Sequence, residues 1–175
     1  MSRLRAFTIG HSVRPESEFI RLLQAHGVTG LADIRTVPKS RRHPQFAREA
    51  LELSLPAHGI AYRHFAALGG LRKPRPDSVN SGWQHPSFRG YADHMQTPIF
   101  RMAVDELLGF ASSHLVAIMC AEAKWWQCHR RLTADALVAR GVEVRHIMSP
   151  SHAPPHEVTP FARLVNGEVT YPGLV

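Results

Sequence analysis

Five short apolar runs punctuate the chain: Ala6–Ile9, Gly30–Ile34, Ala61–Phe65, Leu115–Met119 and Val142–Ile147. Each is long enough only for a strand, and a near-continuous apolar run predicts one buried on both faces. Between most of them the apolar positions return with the helical period. Phe19, Leu22 and Leu23 share one face after Arg14-Pro15, and Gly27 is placed to end that helix. A second helix is expected from Pro44 towards Leu55, stopped by Pro56. Thr97-Pro98 opens the clearest one, in which Phe100, Val104, Leu107, Leu108 and Ala111 keep the period. A fourth begins near Cys128, turns Leu132, Ala136 and Leu137 inward, and ends at Gly141.

This alternation predicts right-handed crossovers and a single α/β domain. Its expected core is a mostly parallel five-stranded sheet with helices on both faces, Rossmann-like in layout. Two stretches fall outside the pattern. Leu68–Arg89 is a long connection rich in Gly, Pro and Ser around Trp83, of the kind that carries function or moves. The segment Pro150–Pro160 is rich in Pro and His. Beyond it, Phe161–Val165, Asn166-Gly167 and Glu168–Tyr171 predict a small hairpin with a type I′ turn. The expected organisation is a core over residues 1–149 and a tail over residues 150–175 packed on it.

At 175 residues the chain suits one domain with a real core. Its longest apolar stretch, Leu115–Ala121, is far short of the ~20 residues of a membrane helix. No apolar signal-peptide run follows the arginines of Met1–Arg5, and there are two cysteines, so a reducing cytoplasm is the expected location. Charge changes the picture more. Against 14 acids stand 21 Lys and Arg, a net charge of +7, and 18 of the 21 are Arg. Arg-rich composition also follows from codon bias, but the guanidinium fork suits phosphate and carboxylate. A phosphorylated small molecule or a nucleic acid is the expected partner, a membrane is not, and protein partners stay open.

In an open parallel sheet, ligands bind beyond the carboxyl ends of the strands. Those ends here carry Gly10-His11-Ser12, Asp33-Ile34-Arg35 followed by Ser40-Arg41-Arg42, Leu68-Gly69-Gly70, Cys120-Ala121-Glu122 and His146. Cys128-His129-Arg130 opens the helix after the fourth strand. A Cys128 thiol in the first helical turn, beside cations, is expected to ionise readily, while Cys120 at a buried strand end is expected to stay protonated. Cys128 is then a nucleophile or positioning residue, and either cysteine is otherwise an inert packed thiol. Glu122 is a general base or an ion-pair strut, and His11 a cleft histidine or a solvated one. Asp33 and Arg35 point to one face, as an ion pair or with Arg35 free to hold an anion. The amides around Ser12, and those of Gly69-Gly70, are candidate anion nests. Ser12, Arg35, Ser40, Arg41 and Arg130 make up the candidate anion site. No acid interrupts Arg35 to Arg48, a run holding Lys39, Arg41 and Arg42, nor Glu52 to Asp77, so two basic stretches leave one rim.

Taken in order, Gly10-His11-Ser12, Asp33-Ile34-Arg35 with Pro38 and Ser40-Arg41, Leu68-Gly69-Gly70, and Cys120-Ala121-Glu122 with Cys128-His129-Arg130 resemble the bacterial family called domain of unknown function 488. The likeness extends to the Thr159-Pro160 to Tyr171-Pro172 ending and implies a single α/β domain. It implies no particular reaction.

Several signatures are absent. Trp126 and Ala134, not Arg, stand six positions after the two cysteines, against the phosphate loop of cysteine phosphatases. Asp33-Ile34-Arg35 and a strand-end cysteine faintly resemble rhodanese-like sulfurtransferases, but the loop after Cys120 lacks their small residues. There is no P-loop or dinucleotide fingerprint, and Cys120, Cys128 and His129 lack a regular zinc spacing, so no metal or cofactor is expected. Three functions fit: an enzyme for hydrolysis or group transfer on a phosphorylated substrate, a non-catalytic nucleic-acid-binding module, or thiol redox or sulfur transfer through Cys120 and Cys128.

Overall fold

The computed structural model describes residues 3–173. In chain order it runs β1 (Arg5–Gly10), α1 (Glu16–Ala25), β2 (Gly30–Asp33), α2 (Arg48–Ala57), β3 (Ala61–His64), α3 (Pro86–His94), α4 (Pro98–Ser113), β4 (Val116–Cys120), α5 (Arg130–Ala139) and β5 (Glu143–His146). These five strands form one all-parallel sheet in the order β3-β2-β4-β1-β5. The strands lie within a residue of their apolar runs because both faces of the sheet are covered. Phe7, Ile9 and Met119 pack with Phe19, Leu23, Leu51 and Leu55 on the α1–α2 side. Val116, Ile118 and Cys120 face Tyr91, Val104, Leu107 and Leu132 on the other.

The doubly wound layering is Rossmann-like, but β4 lies between β1 and β2, where the usual dinucleotide-binding order places no strand. The chain leaves β1 into α1 on one face and leaves β4 into α5 on the other. Adjacent strands that diverge in this way open a crevice at their carboxyl ends. Gly10 and Cys120 stand opposite each other there, as the last pair in the β1–β4 register.

Local differences from the sequence pattern have identifiable causes. Pro56 does not stop α2; it occupies the last turn, where the lost hydrogen bond is one of the final ones, and the chain closes through Ile60 N–H to the Leu55 carbonyl. Helix α3 lies where a structureless connection was expected to end. Phe88, Tyr91, Ala92 and Met95 have helical spacing, interrupted by Gly90, and a β-carbon on Gly90 would collide with the Arg72 carbonyl. The glycine that obscures the helix is there for a tertiary contact. The rest of that connection is pinned: Asp93 accepts from Arg75 N–H, the Ser78 hydroxyl and Asn80 Nδ2.

The tail closes with β6 (Arg163–Val165) and β7 (Glu168–Thr170), an antiparallel hairpin whose Asn166 and Gly167 have φ of 53° and 80°. Positive φ at both central residues is the mark of a type I′ turn. Buried Asp135 of α5 gathers the tail, accepting from His156 Nε2 at 2.7 Å, Thr159 N–H at 3.1 Å and the Tyr171 hydroxyl at 2.8 Å.

Candidate functional site

An open cleft of about 1280 Å³ lies over the carboxyl ends of β1, β2 and β4. Its rim is basic. Arg35, Lys39, Arg41, Arg42 and Lys124 line it, against Glu122 as the one carboxylate among the described residues. Exposed apolar side chains also line it: Val13, Val37, Leu71 and Trp126, with the Lys124 ammonium 5.9 Å from the Trp126 ring centre.

The cleft wall is built where two backbones touch. A β-carbon on Gly10 would overlap the Glu122 carbonyl, so only glycine lets β1 pass beneath the loop after β4. His11 N–H donates to the Cys120 carbonyl at 2.9 Å and Ser12 N–H to that of Ala121 at 3.0 Å. The expected anion nest at these amides is therefore absent, because both are spent on joining the two loops. Gly69 N–H is likewise spent, on the Ala66 carbonyl. Ser12 still faces the cleft, at φ 52°.

His11 lies in the wall, 4 % exposed, stacked on Phe46 at 4.4 Å. Its Nδ1 is 2.9 Å from the Ser12 carbonyl oxygen, so Nδ1 carries the proton and Nε2 holds the lone pair. Burial, aided by the Arg35 charge, brings the ring down to about 4 and keeps it neutral at pH 7. Next to it, Arg35 grips Asp33 through Nε at 2.9 Å and Nη2 at 2.7 Å, and the Tyr62 hydroxyl donates to the same carboxylate. Of the two sequence alternatives for this pair, the structure shows the ion pair. Burial opposes the guanidinium charge, but the hydrogen bonds to Asp33 outweigh it, and Nη1 is buried without a partner among the described residues.

Two thiols lie at the floor. The Sγ atoms of Cys120 and Cys128 are 2.7 Å apart, and both cysteines are free, buried and in the cleft lining. Cys128 precedes α5 instead of standing in its first turn, and its sulfur accepts the Arg130 N–H at 3.3 Å. The expected order of ionisation is reversed. Burial raises Cys120, but the Cys128 hydrogen bond and the Arg130 charge outweigh it and bring this thiol below its ordinary value. The bond to Cys120, with burial, holds Cys128 well above its own. His129 donates Nε2–H to the Ile34 carbonyl at 2.9 Å and presents Nδ1 to the Cys128 sulfur at 3.6 Å.

A family model described as "Domain of unknown function DUF488" matches residues 16–137. The chain belongs to this family. No curated protein and no solved structure matches it. The DUF488 match takes in Asp33, Arg35, both cysteines and Arg130, and stops short of His11, Ser12 and the tail.

Most of the sequence-predicted residues of this DUF488 chain meet in the cleft: His11, Ser12, Arg35, Ser40, Arg41, Glu122 and Cys128. Glu122 is exposed rather than desolvated, and its side chain forms no ion pair among the described residues. Ser40 has a local task as well, accepting the His43 N–H at 2.9 Å. Arg130 is placed differently from the expectation. It is 1 % exposed and behind the cleft wall, with Nη2 on the Glu122 and Ala123 carbonyls and both Nε and Nη1 without a partner among the described residues. His146 is drawn away into a buried chain running from Thr8 through His146 and His156 to Asp135. His129 was expected only as a cation beside Cys128, whereas its ring is neutral at pH 7, and Trp126 had no expected role at the site. The Lys124-Trp125-Trp126 run, polar and aromatic together just after a strand end, was the available signal for the second. Among the described residues no three His, Cys, Asp or Glu side chains are grouped to hold a metal ion, and none of the helices is long and apolar enough to cross a membrane.

Proposed function

We propose that the cleft binds a nucleotide, a nucleic acid or a related phosphorylated compound and carries out hydrolysis or group transfer on it. The observation that carries this reading is the lining: five Lys or Arg side chains against one carboxylate, among them a buried Arg35 whose Nη1 has no partner among the described residues. A buried donor of this kind is satisfied by an anion oxygen. Exposed Trp126 favours a ligand with a base, since an aromatic face beside cations stacks nucleobases. His11 Nε2, neutral with its lone pair available, takes the proton at the wall, and Glu122 is the second proton carrier at the rim.

The test is binding and turnover with inorganic phosphate, nucleotides and single-stranded oligonucleotides, measured from about 50 to 200 mM salt. Salt-sensitive binding with product formation that His11→Ala abolishes is the expected result. Binding without turnover supports the non-catalytic nucleic-acid module instead. No binding by any of the three at low salt overturns the anion reading.

A further inference from the structure

Two buried thiols and one buried cation have no part in anion binding at the cleft mouth. Cys120 and Cys128 hold their sulfurs 2.7 Å apart, about 0.7 Å beyond the ~2.05 Å of a disulfide bond. Cys128 donates to the Cys120 sulfur, so Cys120 is the sulfur on which negative charge is favoured. Behind the pair, the Arg130 guanidinium is buried with no carboxylate partner among the described residues and two unsatisfied nitrogens. A buried charge without a counter-charge is strongly destabilising, and a thiolate in this pair supplies one. The neutral His129 ring turns its Nδ1 lone pair to the Cys128 sulfur at 3.6 Å. Both cysteines, though buried, are among the residues that line the cleft, whose rim is cationic.

We propose that Cys120 and Cys128 are a redox-active dithiol that reduces a small, negatively charged disulfide admitted by the cleft. The Cys120 thiolate attacks one sulfur of the substrate, forming a mixed disulfide and releasing the first small thiol. Cys128 attacks the Cys120 sulfur, forming the Cys120–Cys128 bond and expelling the second small thiol, which takes the Cys128 proton as it leaves. Two electrons pass from the protein dithiol to the substrate disulfide; the first thiolate released takes up from solvent the proton that Cys120 gave up on ionising, and the second leaves with the Cys128 proton. The cleft cations select for carboxylates on the substrate. None of this requires a phosphorylated ligand.

The test uses the full chain equilibrated with reduced glutathione and glutathione disulfide, then quenched with an alkylating reagent and weighed by mass spectrometry. The wild type should pass reversibly from two labelled thiols to none, with one Cys120–Cys128 disulfide. Cys128→Ser should accumulate glutathione on Cys120, while Cys120→Ser should react roughly tenfold more slowly or worse. Uncharged hydroxyethyl disulfide should react more slowly than glutathione disulfide. Two labelled thiols at every ratio would overturn the proposal without any variant having to fold. Equal trapping on Cys128 and Cys120 would overturn the assigned attacking sulfur, and equal rates for the two disulfides the anionic substrate. Phosphate and nucleotide binding by the reduced protein is a separate measurement, so either proposal can fail alone.

Discussion

His129 points its Nε2–H at the Ile34 carbonyl, 2.9 Å away, and so turns its Nδ1 lone pair to the Cys128 thiol at 3.6 Å. Burial outweighs the Ile34 bond, which by itself favours the protonated ring. Burial sets the direction, and the Arg130 charge adds to it, so the ring titrates at about 4.

Stability should therefore fall on mild acidification. Above the ordinary value of 6.5, native and unfolded chains both carry neutral rings at His11 and His129. From there down to about 4 only the unfolded chain takes up the protons, so stability is lost as pH falls through that window. His129 alone should contribute a loss of about 1 kcal/mol between pH 7 and ~5.5, ahead of carboxylate protonation. Urea denaturation at the two values checks this. His129→Gln should reduce the difference by about 1 kcal/mol and leave the His11 share, and a pH-independent wild type would contradict it.

The Asp33 carboxylate holds the Arg35 guanidinium twice, the Arg35 N–H once and Tyr62 once, all buried or half-buried. Asp33→Asn should cost about 3–5 kcal/mol, because it leaves the guanidinium without its counter-charge. Tyr62→Phe should cost about 1.5 kcal/mol, one hydrogen bond to a charged group. Phosphate binding should weaken in the first variant and persist in the second. Equal stability of the two variants in urea would show that Arg35 finds its charge balance elsewhere.

The five strands were legible because burial on both faces writes a strand as a continuous apolar run, and the site rim followed from where those runs end. The chemistry of individual side chains was less so. Arg130 and Arg41 look alike in sequence, yet one is buried with its guanidinium on the Glu122 and Ala123 carbonyls and the other is exposed. The order of ionisation of the cysteines depended on a helix starting two residues later than the pattern suggested, and on a sulfur–sulfur contact eight residues apart. Gly90 masked α3 for the same reason: its purpose is a neighbour distant in sequence.

Charge and stacking at the cleft should separate by mutation. Arg41→Ala with Arg42→Ala should reduce the salt slope of single-strand binding by roughly 0.7 for each phosphate that the variant no longer neutralises. Trp126→Ala should weaken the same binding by about 1–3 kcal/mol with the slope unchanged, and should leave inorganic phosphate binding intact. Titrations at several salt concentrations read both. A Trp126 variant that binds oligonucleotide like the wild type would remove the indole from the interface.

The tail should be required for folding. Asp135 is fully buried and takes its hydrogen bonds from His156, Thr159 and Tyr171, all beyond residue 150. Trp83, in the connection before α3, packs on Phe161 and Tyr171 at 4.8 and 5.6 Å. A chain ending at Pro150 would expose that indole and leave a carboxylate in an apolar wall with no donors, losing several kcal/mol from each source. It should fail to unfold cooperatively and should aggregate. Tyr171→Phe, which removes one donor and keeps the packing, should fold with a loss of about 1.5–3 kcal/mol. A truncated chain that melted cooperatively within a few degrees of the full one would show instead that the core over residues 1–149 stands alone and that Asp135 finds other partners.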